Sequence, residues 1–487
     1  MARNWQSPKY GTNIMAFTDR LANRGSISTA AYSIDNSVLL AGANCDGQIT
    51  QTAGDRKTHT ISFWHKRAFI GMGTGDGEMD GAGEDMWGTS SEGDTLRFGA
   101  SDLTFFNEGG TGSTLVTDRK FRDCAAWYHF VVAIDTTQAV AANRIKIYVN
   151  GVQETSFSTD TYPDEDDEFK LMENSQVFYI GAGHGGATAA TGQGYYADFI
   201  IVDGAAKAAS DFGEFNDDGI WVPKEYTGDF NTGDGTNGAH YKFEGTAEGT
   251  GSGSTGLDSS GNSNNMNFQN QKGGLVDTPT NNFCVMNIGN QYRRYPCTYD
   301  YGSTKVTDNS SGTGGATGTF GLTSGKWYYE IKAADSWTMY GFVDPAHESR
   351  INNNTHETVY TVAGYLDGSY VYIMDLTSQR NDTSLSGLSH SSSSIYGVAL
   401  DLDNDEISFY KDGTAATPTG VNIDGLAGQI AIPWIGTRGV VEVNFGGCTS
   451  FTISSAASDE NGYGTFEHAP PSGYYAICTK NLAEYGG

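Results

Sequence analysis

Apolar residues in this chain fall mainly in short runs or at every second position, and glycine-rich turns separate them. The clearest pattern spans residues 122 to 154, RDCAAWYHFVVAIDTTQAVAANRIKIYVNGVQE. An apolar run from Trp127 to Ile134 is followed by a loop, then by Ile145, Ile147 and Val149 at alternate positions. Period two sends one face of a strand into a core and the other toward water. Asn150-Gly151 follows at once and supplies the positive φ of a tight hairpin turn. Similar strand signals occur at Ser37 to Leu40, His59 to Arg67, Thr95 to Ala100, Gln176 to Gly181 and Tyr195 to Asp203. Regular short strands between glycine turns predict an antiparallel sandwich. The longer loops fall at Gly71 to Gly93 and Ser158 to Asn174.

A second strand series begins near Cys284: KWYYEIKAA, SWTMYGFVD, TVYTVAGYLDGSYVYIM, SIYGVALDLD, EISFYKDG and IAIPWIGTRGVVEVNFGG. Its hairpin Leu400 to Gly413 ends on Asp412-Gly413, echoing Asn150-Gly151. The spacing excludes a simple tandem repeat, because Trp127 precedes Tyr148 by 21 residues and Trp327 precedes Tyr410 by 83. Residues 211 to 275 form a glycine-rich bridge. Its Ile220, Trp221 and Val222 predict packing on a neighbour, and HYKFEG and MNFQN predict further strands of the first sandwich. The organisation expected is an N-terminal arm (1–34), a first sandwich with its bridge strands (35–275), a second sandwich (276–450) and a polar C-terminal tail (451–487). Ile14, Met15, Phe17 and Leu21 give the arm an apolar set but no core, so it is expected to need a partner.

Composition narrows the picture. Glycine is 65 of 487 residues with no every-third-residue period, so collagen is excluded. The net charge of −29 opposes nucleic-acid backbones and anionic lipid. The six cysteines (Cys45, Cys124, Cys284, Cys297, Cys448, Cys478) have no metal-ligand spacing and read as free thiols. The N-terminus has no apolar signal region, and no run of about 18 apolar residues occurs. Neither a cofactor nor a metal is expected.

Whole stretches add a resemblance. The hairpin around Asn150 is similar to that of laminin-G-like, concanavalin-type jelly rolls. SGKWYYEI, GVALDLDNDEISFYKDG and VEVNFGG look like the SPRY-type sandwich. The succession DNSVLL, GDRKTHTISFWHKR, AAWYHFVVAIDTTQAVAANRIKIYVNG, FGEFNDDGIWVPKEYTG, LDSSGNSNNMNFQN, TPTNNFCVMN and PPSGYYAICTKNL resembles virion proteins of marine tailed phages, tail-fibre-like or head-appendage. The resemblance implies an all-β chain of two concanavalin-like sandwiches, made in the host cytoplasm and carried in the virion. It also implies virion proteins as partners, homo-oligomers, and contact with a host surface glycan. The other readings are a decoration protein with virion partners alone, and a polysaccharide depolymerase on a jelly-roll scaffold.

Catalytic and metal motifs are weak. Asp401, Asp403 and Asp405 open like an EF-hand loop, but Glu406 replaces the required glycine, so a hairpin turn is expected. The acidic run Asp164 to Glu168 would splay to both strand faces and fits a solvated loop better than a two-carboxylate site. His65 and His129 lie within strand patterns and are expected to be packed. No H-E-x-x-H, G-x-S-x-G or P-loop motif occurs, and a non-enzyme is expected. The ligand-binding residues expected are Trp337, with Arg350, Asn353 and His356 of the loop HESRINNNTHE. Aromatic faces suit sugar rings, polar amides suit hydroxyls, and an arginine fork suits an acidic sugar. Alternation places Trp337 and Tyr340 on opposite faces.

Overall fold

The computed structural model describes residues 32–486 except 43, 69, 71–83, 91–92, 100, 108–111, 184–191, 290–296, 309–313, 345–360, 375–378, 424–425 and 427. The fold is all-β. Its first sandwich pairs two eight-stranded sheets. One sheet runs, in spatial order, Val152–Gln153, Ile145–Val149, Trp127–Asp135, Thr58–Arg67, Gly194–Asp203, Ser37–Leu40 and Lys272–Leu275, with Ala239–Tyr241 also on Gly194–Asp203. The facing sheet runs Phe157–Thr161, Ser113–Thr117, Leu103–Asn107, Asp94–Phe98, Glu84–Thr89, Val177–Ile180, Asp46–Thr50 and Asn267–Gln269. The bridge strands therefore belong to the first sandwich, as their composition predicts. Ile145, Ile147 and Val149 point into the core while Lys146 and Tyr148 stay half-buried, as period two requires. Phe63, Phe130, Phe199, Leu96, Phe105 and Phe178 fill the space between the sheets. Each such side chain contributes roughly 1.5–3 kcal/mol on leaving water.

The strand Thr58–Arg67 shows no alternation, because nine of its ten residues are buried. Ile61 and Phe63 join the core, whereas Trp64, between them and His65 in register, belongs to a separate cluster on the outer face. That outer face is covered in two places. Residues of the bridge cover one part, where Phe212 and Tyr226 pack on Val131, Ile200 and Val202. The second sandwich meets the other, where the Tyr195 hydroxyl donates to Gly302 O at 2.8 Å and Ser303 Oγ to Ala68 O at 3.2 Å.

The second sandwich joins a nine-stranded sheet, containing Lys326–Ala333, Tyr396–Asp401 and Val440–Asn444, to a six-stranded sheet containing Met339–Val343, Thr361–Tyr365 and Ile432–Thr437. Its hairpin ends with Asp412 and Gly413 at φ 48° and 74°, almost the 48° and 77° of Asn150 and Gly151. Asp403 to Asp405 form the expected turn: the Asp401 carboxylate accepts from the Asp403 and Asn404 amides and sits 2.7 Å from Lys326 Nζ. Asp166 and Glu168 of the acidic run are exposed and pair with Lys57 and Arg56.

Two ends differ from expectation. The expected polar tail is, over residues 451–486, folded onto the second sandwich. Tyr475–Ala476 pairs in parallel with Lys326–Ala333, and the helix Thr479–Tyr485 puts Leu482 into the core. Asp459 holds this segment by accepting from the Ala476 amide and Asn481 Nδ2. At the other end, Ile34 is buried beside Leu39 and Trp64, and the Tyr32 hydroxyl donates to Asp198 at 2.9 Å. The packed body thus begins by Tyr32, inside the expected arm. All six cysteines are free and buried.

Candidate functional site

A cleft of about 310 Å³ opens on the outer face of the first sandwich, between its strands, the bridge hairpin and the linker at Pro279. Trp64, Trp127, Trp221, Phe215, Asn150 and Pro279 line it, and among the described residues no ionisable side chain does. Three tryptophans in one cleft arise from three different stretches of sequence. Trp64 and His129 are cross-strand partners and stack with ring centroids 4.7 Å apart. Trp221 continues the stack on His129 at 5.9 Å. It comes from the short hairpin Gly213–Phe215 with Trp221–Pro223, in which Phe215 and Trp221 are directly opposed and meet edge to face at 5.0 Å. Phe215 is 54% exposed.

Glycine makes this hairpin fit. A Cβ at Gly151 would come within 2.3 Å of the Trp221 ring, and one at Gly213 within 2.4 Å. The Asn150-Gly151 turn read from the sequence as a hairpin signal is therefore also the seat of the Trp221 ring.

His129 is fixed in one neutral form. Trp221 Nε1 donates to its Nδ1 at 3.0 Å, so Nδ1 accepts and Nε2 carries the proton toward Ser62 Oγ at 2.9 Å. Burial pushes its pKa down to about 3, against a smaller opposing pull from Asp198. A histidine so held orients the aromatic stack and has no proton to exchange near neutrality. Trp127 is oriented from the other side, its Nε1 donating to Asp277 Oδ1 at 3.2 Å. Trp64 differs: it is 4% exposed, and its buried Nε1–H has no hydrogen-bond partner. An unpaired buried donor costs about 1–3 kcal/mol.

Of the residues expected from sequence, Arg350, Asn353 and His356 lie outside the described residues. Trp337 is half-buried on the outer face of the six-stranded sheet, packed by Met339, Tyr365 and Trp434. The Arg438 guanidinium covers it at 3.4 Å from the ring centroid, and Tyr365 meets it edge-on. Tyr340 lies in the core, on the opposite face as alternation predicts. His65 and His129 are both packed within strands. Among the described residues no group of His, Cys, Asp and Glu is placed to hold a metal, and no helix is long and apolar enough to cross a membrane. The sequence did carry one trace of the cleft: Trp64 alternates with Phe63 onto the face opposite the core, where a large aromatic needs a cover.

Residues 42–210 match the family model described as the Concanavalin A-like lectin/glucanases superfamily. No curated protein matches the chain. Among solved structures, the SPRY domain of human HERC1 is 18% identical, covering 32% of this chain and 96% of its own at a TM-score of 0.26. The heptameric SAP-like pentraxin of Limulus polyphemus is 13% identical, with coverage of 37% and 80% and a TM-score of 0.27. Domain 4 of the arabinanase AbnA from Geobacillus stearothermophilus, solved with arabinotriose, is 14% identical, with coverage of 34% and 71% and a TM-score of 0.25.

Proposed function

We propose that this chain is a non-catalytic structural protein of a phage particle, projecting from tail or head, and that it binds glycan through the tryptophan cleft. The observation that carries the binding reading is the convergence of Trp64, Trp127, Trp221 and the exposed Phe215 on one cleft. A sugar ring offers an apolar C–H face for stacking against such aromatic rings. The non-catalytic reading is supported by the locked neutral His129 and by a lining free of carboxylates among the described residues. The particle reading is supported by the ordered set of motifs shared with tailed-phage virion proteins.

The test is a glycan array probed with the full chain, followed by titration of the hits. Saturable binding that Trp221→Ala lowers at least tenfold is the expected result, with Trp337→Ala as a comparison on the other sandwich. An array without hits would overturn the binding reading, and release of shortened sugars would overturn the non-catalytic one. Antibody labelling of intact particles tests the particle reading, which fails if purified virions lack the chain.

A further inference from the structure

The hairpin carrying Phe215 and Trp221 stands as a ridge between two depressions. Trp64, Trp127 and Pro279 lie on one side of it, in the cleft of about 310 Å³. Tyr148, Ala208, Ser210 and Lys224 lie on the other side, in a depression of about 360 Å³. Phe215 and Trp221 line both. Each volume is near the lower limit of small-ligand sites, about 300–1,000 Å³. A ligand confined to one side would use one flank of the ridge and leave the exposed Phe215 ring largely in water. A ligand that crosses the ridge covers that ring and fills both depressions.

Charge narrows the ligand class. Among the described residues, the first depression has no ionisable lining residue. The second has Glu214 and Lys224, of opposite sign, and Lys224 Nζ already donates to Ser210 O at 3.0 Å. The chain as a whole carries −29. An anionic polymer would meet a repulsive field without a committed counter-charge at the site.

We infer that the site takes an extended, uncharged oligosaccharide that crosses the Phe215–Trp221 ridge and occupies both depressions. This rests on the reading of the cleft as a glycan site and adds its length and charge class. Both depressions contribute to one bound chain, so affinity rises with ring number until the second depression is filled. The rise comes from linked contacts on one ligand, the second made at no further cost in overall translational freedom.

The experiment titrates the full chain with gluco-, manno- and galacto-oligosaccharides of increasing length, from one ring to six, and with a uronate-containing series. At least one neutral series should bind tenfold or more tightly at four rings than at one, and uronates should bind at least tenfold more weakly. Ala208→Trp, an exposed change that fills only the second depression, should remove the gain from the added rings. Its melting curve serves as the folding control. Equal affinity at one ring and four, or an unaltered gain in Ala208→Trp, overturns the two-sided site while leaving the cleft as a sugar site. Preference for uronates overturns the charge class. Failure of every series to bind overturns the glycan reading and this inference with it.

Discussion

Lys66 and Asp277 meet at 2.6 Å with both side chains wholly shielded from solvent. One lies on the first sandwich, the other where the chain passes to the second. The ammonium also donates to Asn282 Oδ1 at 2.8 Å and to Phe283 O at 3.1 Å, which uses its three protons. The other carboxylate oxygen accepts from Trp127 Nε1 and the Phe283 amide. A buried pair this fully hydrogen-bonded fixes the register of the two sandwiches and, through Trp127, one wall of the cleft.

Breaking that pair should be costly. Lys66→Met leaves the Asp277 carboxylate buried without its counter-ion, with an expected loss of about 3–5 kcal/mol. The double variant Lys66→Met with Asp277→Leu should recover much of it, since a buried pair is worth little net against well-packed apolar groups. Urea unfolding of the two proteins checks this. Equal stability of the single and wild-type chains would contradict the assignment.

The ridge should separate binding from stability. Phe215→Ala removes a largely exposed ring and should change unfolding free energy by no more than about 0.5 kcal/mol, yet weaken glycan binding at least tenfold. Gly213→Val should lift Trp221 off its seat, because the added carbon would sit 2.4 Å from the indole. The expected signature is altered tryptophan fluorescence with both sandwiches still folded.

Two buried aspartates make stability fall as pH rises. Burial pushes Asp94 and Asp85 up to about 7; the Leu171 amide and Arg97 respectively oppose this in part. The folded chain keeps these protons up to about pH 7, whereas the unfolded chain releases them near pH 4. Between those values the unfolded state binds fewer protons, so stability declines as pH climbs through the window. At about 1.4 kcal/mol per pH unit the effect is on the order of 4 kcal/mol per group. Asp94→Asn should flatten the slope of urea midpoints between about pH 4 and about pH 7; an unchanged slope would count against it.

Salt should stabilise the fold. A charge of −29 works against compaction, and the screening length shortens from about 8 Å at 0.15 M to about 3 Å at 1 M. Melting temperature should therefore rise from low to seawater-like NaCl, and a fall would contradict this.

Truncation should separate assembly from folding. Deletion of residues 1–31 stops short of Tyr32 and Ile34, which are packed on the first sandwich. Both sandwiches should stay folded, while incorporation into particles, read by labelling, is lost. Normal incorporation would remove the arm from the assembly model.

The sequence by itself determined the strands and the turns, because period-two alternation and Asn-Gly or Asp-Gly pairs act locally. Ile145 to Gly151 and Leu400 to Gly413 were legible for that reason, as was the turn at Asp403 to Asp405. The sequence also marked Trp221 as a residue in need of a neighbour. Only the tertiary structure decided which neighbour, because Trp64, Trp127 and Trp221 are brought together by a cross-strand pair, a bridge hairpin and the Asp277 linker. None of these distances is encoded in spacing along the chain. The buried outer face of Thr58–Arg67 shows the same limit: alternation reports one covered face, and a strand covered on both sides gives a continuous apolar and polar mixture with no readable period. The C-terminal segment looked polar for a related reason. Its Asp459 and Asn481 are spent inside on hydrogen bonds, and a polar residue satisfied within a fold has the same letter as one dissolved in water.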